Sequence, residues 1–216
     1  AIRGSIGDNP RRGVLTTTAE HPSVLSTVQD LAEAGCPTRR VHVTATGEVD
    51  LEALVEAITD ETSLVTIHAA NNETGVVQPI ERIVELAHER GALVHADASQ
   101  LMAWGSATCL DECDLVTVSS HKMHGPQGAA ALIVRPSARE RLRPQVTGGG
   151  QERGLRSGTS NVAALAGFGA AARLSIGSGA ESAMRVREMR GRLLDGLVAN
   201  IGDVVDHAVD AEIRLP

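Results

Sequence analysis

Tyrosine is absent from this chain, and phenylalanine and tryptophan occur once each, as Phe168 and Trp104. A core must therefore be packed from Val, Leu, Ile and Ala, which can reach native density without aromatic rings. A flat ligand would find few rings to stack on, and a histidine is the available substitute. Cysteine is scarce as well: Cys36, Cys109 and Cys113 neither pair off evenly nor take a zinc-ligand spacing, so they read as reduced thiols rather than a disulfide framework. Cys109 and Cys113 with Asp111 and Glu112 imitate half a metal site, but no second ligand pair accompanies them, and no metal is expected. Basic charge is also lacking. A net charge of -7 and a pI near 5.6 leave no electrostatic footprint for nucleic acid. No run approaches the ~18 apolar residues of a membrane span. The opening AIRGSIGDNPRRG lacks the charged-then-apolar plan of a signal peptide, so no membrane partner and a cytoplasmic location are expected. There is no internal repeat, and Gly148-Gly149-Gly150 has neither the Lys-Ser/Thr pair nor the G-x-G-x-x-G spacing of a nucleotide loop.

What is present is strand-helix alternation, and 216 residues suffice for one α/β domain with part of another. Gly13–Thr18 reads as a strand, and Val24, Leu25, Val28, Leu31 and Ala32 mark a helix face closed by Gly35. Arg40–Val43 is a short strand, Asp50 caps a helix carrying Leu51, Leu54, Val55 and Ile58, and Leu64–His68 is the next strand. Pro79 opens a helix with Ile80, Ile83, Val84 and Ala87 on one face and Gly91 at its end; Leu93–Ala96 and Leu115–Val118 follow as strands. Short connections of this kind predict a mostly parallel sheet covered on both faces, a three-layer α/β fold. Gly128–Val134 is expected to run antiparallel, because its link is too short for a crossover helix. Gly148–Thr159 is a glycine-rich polar loop, longer than connections usually are unless they serve a site. From Asn161 the chain reads as helical to about Leu174. A break at Gly177, Ser178 and Gly179 is expected to lead into a second helix marked by Val186, Met189, Leu193 and Leu197. That break divides the chain into a large domain, 1–176, and the linking helix and start of a small α+β domain, 177–216, with Val204–Pro216 as its first strand.

Two charged residues stand where strands stop, Asp97 and Lys122, about 25 residues apart. In an open parallel sheet such positions face one crevice. A carboxylate and an amine facing each other suit a cofactor with a basic ring nitrogen at one end and an aldehyde at the other, and pyridoxal phosphate is such a molecule. Taken singly, Asp97 would serve as a turn cap and Lys122 as a solvated surface lysine.

Further stretches stand at the other strand ends: AEHPSV around His21, HAANNETGVVQP around Asn72, HADASQ around Asp97, SSHKMHGPQG around Lys122 and GGGQERGLRSGT around Thr159. Together, over residues 13 to about 175, they resemble the cysteine desulfurases, fold type I pyridoxal-phosphate enzymes of the class-V aminotransferase group, whose relatives include selenocysteine lyases. The resemblance implies that Lys122 forms the Schiff base with pyridoxal phosphate and that Asp97 pairs with its ring nitrogen. It gives Gln100 the phenolic oxygen, lays His21 over the ring as a catalytic residue beside Lys122, and sets Asn72 near the cofactor and substrate carboxylate. Ser119 and His121 would hold the phosphate, and Thr159 would reach the phosphate of the neighbouring subunit in a homodimer. It implies L-cysteine as substrate, converted to L-alanine with the sulfur passed as a persulfide to an acceptor protein, such as an iron-sulfur cluster assembly scaffold. The family's sulfur-accepting cysteine lies in a C-terminal loop with no counterpart here, and its N-terminal glycine-threonine phosphate turn would precede Ala1, so the sequence resembles the middle of a longer enzyme. A selenocysteine lyase or another C-S lyase, and a catalytically incomplete scaffold, are the competing readings. Product analysis and binding of pyridoxal phosphate separate them.

Overall fold

In the computed structural model, residues 1–7, 12–105, 107–207, 210–211 and 213–216 are described. Helix α1 (Ile2–Ile6) precedes strand β1 (Gly13–Thr17), helix α2 (Pro22–Glu33) and strand β2 (Thr38–Val41). Next come α3 (Leu51–Ala57), β3 (Thr62–His68), α4 (Ile80–Glu89), β4 (Leu93–Asp97), β5 (Leu115–Ser119) and β6 (Ala130–Val134). The short α5 (Pro136–Arg139) and the long α6 (Val162–Asn200) complete the order. The six strands form one sheet, β2-β1-β3-β4-β5-β6, parallel throughout except for β6, which pairs antiparallel with β5 as expected.

Because strand side chains alternate between faces, one set of odd and even positions builds each layer. Leu15, Val65, Ile67, Val94, Ala96, Val116 and Val118 pack beneath α3, α4 and the start of α6. On the other face Val14, Leu64, Leu93 and Leu115 meet Ile2 and Ile6 of α1, Val24 and Val28 of α2, and Ala138. Aliphatic packing is tight: Leu54, Ile80 and Ile83 are fully buried, each contributing about 1.5–3 kcal/mol over an exposed position. Towards the carboxyl ends of the strands the second face turns polar, through Thr16, Thr66, His68 and His95, all buried. That polar end holds the site.

Helix starts follow their caps. Asp50 Oδ1 accepts from the amides of Glu52 (3.1 Å) and Ala53 (3.0 Å), and Asn161 Oδ1 accepts from Ala164 N (3.1 Å). Three expectations are corrected. Strand β2 lies two residues earlier than the Arg40–Val43 reading, because Val14 N already takes Pro37 O at 2.9 Å and Val43 is diverted into a bridge with Val49. The expected break at Gly177–Gly179 is not there, and α6 runs unbroken for 39 residues. A Cβ on Gly179 would stand 2.6 Å from Gly105 N and 2.7 Å from Trp104 C, and Ser175 Oγ donates to Met102 O at 2.5 Å. The small residues thus seat the helix against the 3-10 turn Leu101–Trp104 instead of ending it, and packing offsets the cost of about 1 kcal/mol per helical glycine. Nor do the described residues of Val204–Pro216 form a strand: they are irregular, with one bridge, from Arg214 to Val76, while residues 208, 209 and 212 lie outside the described residues. One 18-residue window of α6 reaches a mean hydropathy of 1.2, long and apolar enough to cross a membrane by length and composition alone. Only 17% of that window is buried, and Ser175 and Gly179 are the helix residues that meet the 3-10 turn most closely.

Candidate active site

Strands β1, β3, β4 and β5 are neighbours, and their last residues, Thr17, His68, Asp97 and Ser119, stand along one edge of the sheet. Asp97 is in register with His68 on one side and Thr117 on the other. Its Oδ1 accepts from Ser99 N (3.0 Å) and Ser99 Oγ (2.6 Å), while Oδ2 takes no hydrogen bond among the described residues. One oxygen is therefore tied to the chain and the other left open. A cleft of about 290 Å³ reaches Asp97, walled by Ser23, Val24 and Thr27 of α2 and by His95 and Thr117. That volume is at the small end of ligand cavities, which run to roughly 300–1,000 Å³.

Beyond β5 the chain makes the 3-10 turn Ser120–Met123. Ser120 and Met123 are buried, Ser120 N takes Ala129 O at 3.1 Å, and Gly125 N takes Ser120 O at 3.0 Å. With both ends of the turn pinned inward, His121 and Lys122 point outward and are exposed. Gln100, half-buried, leads from Asp97 into the turn at Leu101. Ser119 is half-buried and its Oγ lies 3.4 Å from Ser99 Oγ.

His21 is the N-cap of α2. Its Nδ1 accepts from Ser23 N at 3.2 Å and lies 2.8 Å from Ser23 Oγ, so the cap fixes the ring of this exposed residue and leaves Nε2 without a hydrogen bond among the described residues. Asn72 is exposed with no hydrogen bond among the described residues. Its neighbour Asn71 shapes the turn: Oδ1 accepts from Glu73 N (2.8 Å) and Thr74 N (2.9 Å), and Nδ2 donates to Ala19 O (3.1 Å), joining the His21 turn to the Asn72 turn. Thr159 is exposed, between buried Ser157 and the α6 cap Asn161, and shares no hydrogen bond with the other candidates. The structure thus gathers Asp97, Gln100, Ser119, His121 and Lys122 on adjoining strand ends and links the turns of His21 and Asn72. It leaves Thr159 apart.

Beneath the site His95 bridges strands, with Nδ1 2.8 Å from Thr66 Oγ1 and Nε2 2.7 Å from Thr117 Oγ1. Burial lowers its pKa from 6.5 to about 4, so the ring is neutral near pH 7. Burial has the opposite effect on the thiols: it raises Cys36 and Cys109, and pushes Cys113 up to about 12. None of these cysteines has the lowered pKa of a nucleophile, and no cluster of metal-binding side chains occurs among the described residues.

Four supporting residues escaped the sequence reading. Ser99 grips Asp97; the signal was present, since Asp-x-Ser is a hydrogen-bonded turn pattern. Glu20, His68 and Gln78 form a buried cluster under the His21 turn, and no local pattern could have paired residues so far apart in sequence.

Residues 4–206 match the family described as aminotransferase class-V. The chain belongs to that family. Class-V proteins similar to it include a cysteine desulfurase of Nostoc sp., 40% identical over 218 residues, covering 100% of this chain and 54% of the relative. A solved NifS-like protein superposes with a TM-score of 0.89 at 36% identity, covering 97% of this chain and 57% of that one. A structure described as SspA in complex with cysteine gives 0.71 at 38% identity over 74% of this chain and 47% of its own. This class-V chain therefore spans about half the length of the relatives it matches. Its fold, a mostly parallel sheet between helices, is that of fold type I pyridoxal-phosphate enzymes, as the sequence led us to expect. The residues present fit that cofactor. Asp97 offers an open carboxylate oxygen at a cleft, Lys122 an exposed amine on the next strand end, and Ser119 and His121 offer donors suited to an anion.

Proposed function

We propose that this chain forms the cofactor-binding part of a pyridoxal-phosphate-dependent cysteine desulfurase, converting L-cysteine to L-alanine and passing the sulfur to an acceptor protein. The observation that carries the reading is the Asp97 carboxylate, held through Oδ1 by Ser99 with Oδ2 taking no hydrogen bond among the described residues, at the strand end next to the one that leads into the Lys122 turn, on a chain similar to enzymes named cysteine desulfurase. The cysteine in the complexed relative supports the substrate class. When bound, pyridoxal phosphate supplies an electron sink for charge developing at the substrate's α-carbon.

The chain's own residues divide the work. Asp97, held through Oδ1 by Ser99, presents Oδ2 as the acceptor for a protonated ring nitrogen. Lys122 would hold the cofactor through its amine and would serve as the base for the substrate's α-proton, from a turn on which it is exposed. His21, its Nδ1 committed to the helix cap, offers a ring face in a chain without tyrosine. Gln100 and Asn72 would donate to the cofactor and substrate oxygens, and Ser119 and His121 to the phosphate. In this reading Thr159 completes the site of a second subunit in a homodimer. The acceptor thiol for sulfur is none of Cys36, Cys109 or Cys113, whose burial favours the protonated form.

Borohydride treatment tests the assignment: cofactor becomes covalently fixed in the parent protein and not in Lys122→Ala, and retention in the variant refutes it. Product analysis with L-cysteine distinguishes alanine from the pyruvate and ammonia of an eliminating C-S lyase. A protein that takes up no pyridoxal phosphate would be a scaffold rather than an enzyme.

A further inference from the structure

Under the His21 turn lies a charged group that the proposed reaction does not employ. Glu20 is buried, with its side chain fully enclosed, at the point where the chain leaves β1 for α2. Its Oε1 accepts from Thr17 Oγ1 at 2.7 Å, and its Oε2 from His68 N at 2.8 Å, at the end of the neighbouring strand β3. His68 Nδ1 stands 3.0 Å from Oε1, in close contact but off the line of a hydrogen bond.

Gln78 fixes which ring nitrogen of His68 carries the hydrogen. The amide of Gln78 is oriented by the backbone, since Oε1 accepts from Val49 N (2.8 Å) and Nε2 donates to Gly47 O (3.0 Å). The atom 3.3 Å from His68 Nε2 is therefore an N–H, and His68 Nε2 must accept. The imidazole hydrogen then sits on Nδ1, beside the Glu20 carboxylate. A buried carboxylate is costly unless paired and hydrogen-bonded, and here every neighbour it meets is a donor.

We propose that Glu20 and His68 form a buried strut that seats His21, making both of them positioning residues for the ring face of the cofactor. The inference rests on the functional reading above only for what His21 touches. Geometry supplies the rest: Glu20 precedes His21 directly, its carboxylate ties that turn to the end of β3, and the Asn71 Nδ2 to Ala19 O bond of 3.1 Å ties it a second time. With the backbone held at Thr17, Ala19 and Glu20, the ring direction of His21 is set by its cap on Ser23 rather than by solvent.

A double-mutant cycle in the purified protein tests this, read by amide hydrogen exchange and by titration with pyridoxal phosphate followed in the visible band. Thr17→Val and Glu20→Gln are near-isosteric and spare the core. Each is expected to speed exchange at residues 18–23 about tenfold, a local change of about 1.4 kcal/mol, with β4 and α4 unchanged. Glu20→Gln should weaken cofactor affinity about tenfold alone but less than about twofold on a His21→Ala background, because the strut acts through His21. Additive losses in the double variant, or unchanged exchange in both single variants, overturn the proposal. If the parent takes up no pyridoxal phosphate, the functional reading fails, and the exchange result alone decides the strut.

Discussion

Gly177 and Gly179 are two residues apart in α6, and substituting each with alanine should change stability in different directions. Both replacements gain the same helix propensity, about 0.8–1.0 kcal/mol for Gly to Ala in a helix interior. Nothing lies within 4 Å of a Cβ on Gly177, so Gly177→Ala should stabilise by about that amount. A Cβ on Gly179 would meet Gly105 N at 2.6 Å, Trp104 C at 2.7 Å and Gly105 Cα at 2.8 Å, all backbone atoms that cannot swing aside. Overpacking of this kind costs about 1–3 kcal/mol, which leaves Gly179→Ala neutral to destabilising by about 2 kcal/mol. Propensity cancels between the two variants, so their difference isolates the contact at about 1–3 kcal/mol. Urea denaturation of both variants beside the parent measures it. Equal stabilisation by the two alanines would refute the account, showing that α6 does not bear on the Leu101–Trp104 turn.

Removing the caps Asp50→Ala and Asn161→Ala should each cost about 1 kcal/mol, with the larger effect at Asp50, whose one oxygen serves two amides; a change within error at both would contradict the cap geometry. His95 has a folded-state pKa near 4 against an ordinary 6.5, so the unfolded chain binds the extra proton first and stability falls as pH drops from about 6.5 towards 4. In His95→Asn that part of the acid slope should disappear; an unchanged slope would place the sensitivity elsewhere. Cys113, raised to about 12, should resist thiol reagents at pH 8 until the protein unfolds, and native-state labelling at the rate of a free thiol would contradict its burial.

The strand ends were legible because β-branched runs stop at polar residues, and Asp97, Ser119 and Lys122 fall where that pattern puts them. The antiparallel course of β6 was legible from the length of its link to β5. The continuity of α6 was not. Gly-Ser-Gly spells an end to a helix locally, and only the approach of Gly105 and Trp104, more than 70 residues earlier, gives those positions another purpose. The same limit hid Glu20 and His68: one reads as the residue before a histidine, the other as the last of an apolar strand, and their meeting requires β1 beside β3. Asn72 stands out in the sequence as a site residue, but the side chain that shapes its turn is the neighbouring Asn71.

The irregular tail is part of that same turn. Arg214 Nε donates to Thr74 O at 2.8 Å across 140 residues of sequence, and Leu215 N takes Gly75 O at 2.8 Å. Seen as a schedule of synthesis, this means that the loop bearing Asn72 leaves the ribosome early yet receives its last fastening only when residues near 215 have followed it. A nascent chain halted within α6 would lack both of these bonds, and its Asn71–Gly75 turn would be unclasped.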